Sequence, residues 1–92
     1  MKLAFEWDEA KARENLRKHK VGFDEGKTIF NDPFLLTFPD IDTSDAEERY
    51  VNIGLSIRDR VLVLIHTEGQ GRIRIISCRK ARATERRHYE EG

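Results

Sequence analysis

Leu3, Phe5 and Trp7 alternate with Lys2, Ala4 and Glu6, the two-residue period of a strand with one buried face. Residues 8–19 then predict a helix: Asp8 offers an N-cap, Glu9 lies in the first turn, and Lys18, His19 and Lys20 gather at the far end, so both ends complement the helix dipole. Its apolar stripe, Ala12 and Leu16 with Trp7 just before it, is thin. A shorter helix fits Phe23 to Phe30, and Asn31-Asp32-Pro33 stops it by turn chemistry and by proline's missing donor. Leu35 to Phe38 has strand character, and Pro39-Asp40 opens an acidic loop. From Tyr50 to Ile57 the aliphatic Val51, Ile53, Leu55 and Ile57 share one face while Tyr50, Asn52, Gly54 and Ser56 share the other, which predicts a one-sided strand. Val61 to His66 is continuously apolar, as in a central strand covered on both faces. Gly69-Gln70-Gly71 turns the chain, Arg72 to Cys78 returns as the last strand, and Ala81 to Glu90 is helical by propensity. The order β-α-α-β-β-β-β-α predicts an α+β domain: an antiparallel β-sheet meander with two N-terminal helices and one C-terminal helix.

At 92 residues the chain has room for one core, and a charged fraction of 37% makes that core thin. The single Cys78 has no disulfide partner, which suits a reducing compartment. The N-terminus lacks an apolar signal region and no run reaches membrane-spanning length, so the expected location is the cytoplasm. The net charge of zero hides an uneven distribution. Asp40, Asp42, Asp45, Glu47 and Glu48 form an acidic stretch without a base, whereas residues 72–92 hold seven bases against three acids. A basic C-terminal quarter attracts an anionic partner, although a solvated helix face has the same composition.

The arginines are placed for more than solubility. Arg72 and Arg74 recur on an apolar strand, and Arg79 and Lys80 continue into the next turn. Guanidinium presents a planar fork of donors matched to phosphate oxygens. The competing explanation is that Arg72 and Arg74 pair with acids on neighbouring strands or in the acidic loop. RNA cleavage without a metal needs a base for the 2′-hydroxyl, positive donors for the phosphorane and an acid for the leaving oxygen. Arg79, Lys80, Glu85, His88 and Tyr89 supply all three types within eleven positions. His19 suits helix capping, and His66, ending a buried strand, suits a hydrogen-bonded core position. With the three histidines scattered, neither a metal site nor a cofactor is expected.

Phe5-Glu6-Trp7-Asp8, Lys11, Asn15, Lys18-His19, Val21, Phe23, Phe30 and Asp32 form one block of residues, and His66-Thr67-Glu68, Arg72 through Ala81, Glu85-Arg86 and Tyr89 another. Together these resemble the BrnT family of toxins across nearly the whole chain. The resemblance implies a RelE-like fold, RNA cleavage that arrests translation and growth, and neutralisation by a DNA-binding antitoxin, BrnA, in a complex that represses its own operon. It also shifts the expected catalytic weight toward Arg79, Lys80 and Tyr89, with Arg72 and Arg74 gripping phosphates or positioning the groups that do. The residues themselves offer Glu85, His88 or Tyr89 to move protons and Arg82 and Arg86 to bind RNA. The alternative use of the same basic face is non-catalytic, as a module that binds nucleic acid or receives an acidic antitoxin segment. Four positions depart from the family pattern. Lys20 stands where glycine commonly ends the first helix, Gly22 where serine commonly starts the second, and Gly26 and Cys78 where alanine is common.

Overall fold

A computed structural model describes residues 3–40 and 48–92; most of the acidic stretch, residues 41–47, lies outside them. The elements run β1 (Ala4–Glu6), α1 (Glu9–His19), α2 (Phe23–Gly26), a 3-10 turn over Lys27–Asn31, β2 (Leu36–Pro39), β3 (Arg49–Leu55), β4 (Val61–Gly69), β5 (Arg72–Lys80) and α3 (Ala83–Glu91). They form one five-stranded sheet in the order β1-β5-β4-β3-β2. Strands β2 to β5 are the expected antiparallel meander. The sheet as a whole is mixed, because β1 pairs with β5 in parallel, with Phe5 opposite Ile73 and Glu6 opposite Arg74. The β4–β5 hairpin leaves the outer edge of β5 open, and β1 fills it.

α1 begins as its sequence requires: the Asp8 carboxylate accepts from the N–H groups of Ala10 and Lys11. Its buried contact differs from the expected stripe. Leu16 is 52% exposed, while Asn15 is buried. The Asn15 amide donates to the carbonyls of Val21 and Cys78 and accepts from the Cys78 N–H, which fastens α1 to β5. A buried amide that satisfies both its donors and its acceptor costs little to bury. The second helix is also shorter than its apolar spacing suggests, four residues of α-helix passing into the 3-10 turn.

Behind these helices lie Val21, Phe23, Ile29, Leu62, Leu64, Ile75 and Cys78, all buried. β3 departs from the one-sided strand expected, being covered on both faces. Ile57 is 78% exposed, whereas Asn52, Gly54 and Ser56 are buried. Polar residues are tolerated there because each is paired: Asn52 donates to the Leu64 carbonyl and accepts from Thr37, and the Ser56 hydroxyl donates to Glu25, which also holds Arg60. Gly54 is needed for space, since a Cβ there would lie 2.8 Å from Leu35 and 3.1 Å from Ile29. On the opposite face of the sheet α3 covers β3, where Ile53 is buried.

Two of the departures from the family pattern explain each other. A Cβ on Gly26 would lie 2.8 Å from the Cys78 sulfur, so a larger residue at 78 is accommodated by a smaller one at 26. Gly26→Ala is expected to destabilise the chain, and the Gly26→Ala/Cys78→Ala pair to recover most of that loss. The coupling in a double-mutant cycle should be about 1–2 kcal/mol; additivity of the two changes would refute the compensation. Lys20, by contrast, carries a strain with no partner: it ends α1 in the left-handed region, at φ 61° and ψ 27°. Lys20→Gly should raise the urea midpoint by an amount worth about 0.5–1 kcal/mol.

Candidate RNA-binding face

β5 alternates its side chains between the two faces of the sheet. Ile73, Ile75 and Cys78 are buried, and Arg72, Arg74 and Arg79 project on the side opposite Cys78, because the register shifts at Ile65/His66, which pair with Ser77 and Ile75 and leave Ile76 as an extra residue. Glu6, opposite Arg74 on β1, shares that side. Arg72 Nη1 donates to one Glu6 carboxylate oxygen at 3.2 Å, and Arg74 Nη1 donates to the other at 3.3 Å. The hydrogen bond from Arg72, then that from Arg74, holds the Glu6 carboxyl below its ordinary range. Two guanidinium groups thus converge on one anion at the rim of a cleft of about 260 Å³, which Thr67 and Glu68 also line. All three side chains are partly open to solvent, Arg72 at 61%, Arg74 at 47% and Glu6 at 35%. In register across the sheet, Thr67 lies between Arg74 and Arg49, so a third arginine belongs to this face.

The other candidates do not join this cluster. Arg79 is five residues along the strand from Arg74, roughly 16 Å. Its guanidinium makes a two-pronged bond with Glu85, both contacts at 2.8 Å. Glu85 also accepts from the Arg82 N–H at 2.7 Å, closing the first turn of α3. The Arg79 hydrogen bond lowers the Glu85 carboxyl to about 2, so it is a poor proton acceptor near neutrality. Lys80 is paired with Leu62, and Arg79 with Val63. The two neighbours therefore leave β5 on opposite faces and cannot grip one phosphate together. Tyr89 donates its hydroxyl proton to Asp32 at 2.5 Å. Burial, then that bond, pushes the phenol up to about 12. His88 lies on α3 with its ring 5.6 Å from Phe38, Arg86 is exposed on the same helix, and Arg82 is exposed at its N-cap.

His66 is the hydrogen-bonded core residue the sequence suggested. It is 1% exposed, stacked on Tyr50 at 5.1 Å and meeting Phe30 edge-on at 5.6 Å. Asn52 bonds its Nδ1 at 2.7 Å and Glu68 its Nε2 at 3.0 Å. Sequence reasoning missed Glu6, Thr67 and Arg49, which strand register alone brings beside Arg74. Their signal was the alternation itself: Glu6 falls on the side of β1 opposite the aromatic Phe5. Among the described residues, no group of three or more His, Cys, Asp or Glu is placed to hold a metal, and no helix is long and apolar enough to cross a membrane.

A mixed five-stranded sheet backed by two N-terminal helical segments and capped by a C-terminal helix, with Arg72 and Arg74 paired on one face, defines a small α+β domain. The family described as "Ribonuclease toxin, BrnT, of type II toxin-antitoxin system" matches residues 7–85, and the chain belongs to that family. The fold is similar to the crystal structure of the Brucella abortus ribonuclease toxin BrnT, with a TM-score of 0.67 and 21% identity over 88% of this chain and 99% of that one. No curated protein matches the sequence. The protein is accordingly a ribonuclease toxin of a type II toxin–antitoxin system, with RNA as target and an antitoxin as partner.

Proposed function

We propose that the chain is a single-domain, RelE-like endoribonuclease that works in the cytoplasm without a metal and seats the scissile phosphate between Arg72 and Arg74. The observation that carries this reading is their convergence on the Glu6 carboxylate. A carboxylate presents two oxygens sharing one negative charge, as the two non-bridging oxygens of a phosphodiester do. RNA displacing Glu6 would find both guanidinium donors already aimed at those oxygens.

The substrate supplies its own nucleophile. Attack of the 2′-oxygen on phosphorus forms the P–O2′ bond, breaks the P–O5′ bond, and leaves a 2′,3′-cyclic phosphate and a 5′-hydroxyl. Negative charge builds on the phosphorane oxygens, where preorganised donors lower the barrier. The polar atoms of Glu85 and Tyr89 serve Arg79 and Asp32, so this reading rests on positioning and charge stabilisation at the seat. Arg82 and Arg86 extend the positive surface toward flanking phosphates. Neutralisation is assigned to a BrnA-like DNA-binding antitoxin, in a hetero-oligomer that represses its own operon.

Purified protein is expected to shorten single-stranded RNA in excess chelator and to leave 2′,3′-cyclic phosphate ends. Intact RNA recovered from complexes that dissociate steeply with salt would replace the nuclease with a binding module. Cleavage lost in chelator and restored by a divalent cation would overturn metal independence.

A further inference from the structure

We infer that the antitoxin docks on the β2 edge, away from the arginine face, through an extended apolar segment that carries a lysine or arginine. β2 pairs with β3 on one side and, among the described residues, with no strand on the other. With that edge taken by no described strand, β2 offers a place for a further one, the mode of recognition in which backbone bonds give affinity and alternate side chains give specificity.

Beside that edge lies a groove of about 580 Å³ bounded by Pro33, Phe34, Leu36, Tyr89 and Glu90. Phe34 at its lip is 73% exposed. A second cavity meets the groove at Pro33 and is lined by Leu55 and Ile57, themselves 37% and 78% exposed. Among the described residues the exposed large hydrophobics are Leu3, Leu16, Phe34, Leu55 and Ile57, and the last three join into this one patch. Apolar surface so concentrated marks an interaction site.

Charge selects the occupant. α3 ends at the groove with Glu90 and Glu91 in its last turn, where the helix dipole already disfavours negative charge, and His88 is the only basic residue there. A cationic side chain on the incoming segment compensates both carboxylates and the helix end. An acidic segment, the kind that would suit Arg82, Arg86 and Arg87, would be repelled here. The inference rests on the assignment of the chain as a toxin with a protein antitoxin; it does not depend on where RNA is cut.

The test uses the full chain and its purified cognate antitoxin, with binding followed by calorimetry and RNA cleavage measured on the same preparations. Phe34→Asp and the pair Glu90→Lys/Glu91→Lys should each weaken antitoxin binding at least tenfold and leave cleavage in the absence of antitoxin unchanged. Reversing Arg82, Arg86 and Arg87 to glutamate should leave antitoxin affinity within about twofold. Unchanged affinity in the first two variants overturns the inference, as does loss confined to the arginine reversals. Wild-type chain that self-associates and becomes monomeric with Phe34→Asp would assign the patch to a second copy and likewise overturn it. If wild-type protein fails to cut RNA yet needs Phe34 for the antitoxin, the docking surface stands and the proposed active face falls.

Discussion

Arg79→Ala will unfold at markedly lower denaturant than the parent chain, by about 2–3 kcal/mol, because it strands a partly buried carboxylate. Arg79 and Glu85 are only 28% and 24% exposed at their side chains. Their two-pronged bond joins β5 to the first turn of α3, which also uses the Glu85 carboxylate to hold the Arg82 N–H. Losing it loosens the attachment of α3 to the sheet. The same pair sets a pH dependence. The folded chain holds Glu85 at about 2, against an ordinary value of 4.5, so the unfolded chain binds the proton more tightly. The stabilisation is therefore complete above about pH 5 and drains away as acidity approaches pH 2. Stability profiles of the parent chain and Glu85→Gln should converge in that acid range and separate above it. An Arg79→Ala chain as stable as its parent would return Arg79 to the list of residues available for chemistry.

Arg72→Ala/Arg74→Ala is expected to fold normally, since both side chains are largely in solvent, yet to lose about 10²- to 10³-fold in kcat/KM for RNA cleavage. Removing two phosphate contacts should also flatten the salt dependence of RNA binding by a slope of about 1.4, the value for two single-strand phosphates. Glu6 makes the experiment sharper. In the proposed seat it competes with RNA for the same donors, so Glu6→Gln should tighten RNA binding severalfold while the double arginine variant weakens it. A merely solvated basic surface would respond to Glu6→Gln no more than to removal of any other exposed acid. Arg82→Ala and Arg86→Ala should cost far less, because each touches only flanking backbone in this account.

Much of this architecture was legible in the sequence where a local rule governs. Period-two alternation located β1, a continuous apolar run located β4, the Gly69-Gln70-Gly71 turn placed β5 after it, Asp8 marked the start of α1, and Asn31-Asp32-Pro33 marked the end of the second helical segment. What failed was inference about which face is buried. In β3 the aliphatic face looked like the only buried one, and Ile53 is indeed buried under α3, but Asn52 and, just beyond the strand, Ser56 are buried on the other side because partners on β2, β4 and α2 satisfy them. Asn15 displaced Leu16 from the core of α1 for the same reason. A residue's burial depends on long-range hydrogen bonds that single-chain periodicity does not encode. The parallel pairing of β1 was hidden too, since nothing in a short alternating strand states the direction of its neighbour.

For the candidate site, the sequence placed the basic residues on one strand but not how the fold groups them. Arg72, Arg74, Arg79 and Lys80 read as one basic run, but a pleated strand sends Lys80 away from Arg79, and Glu85 lies one turn into α3, within reach of Arg79. The competing explanation, that Arg72 and Arg74 pair with an acid on a neighbouring strand, is also met, by Glu6. Under the proposed function the two accounts merge, because the Glu6 carboxylate occupies the place proposed for an RNA phosphate.

The most direct measurement is a crystal structure of the protein with a short RNA made uncleavable by 2′-O-methylation. A backbone phosphate should replace the Glu6 carboxylate, with its non-bridging oxygens about 2.7–3.2 Å from nitrogens of Arg72 and Arg74. RNA lying along Arg82 and Arg86 with both arginines still bound to Glu6 would contradict it.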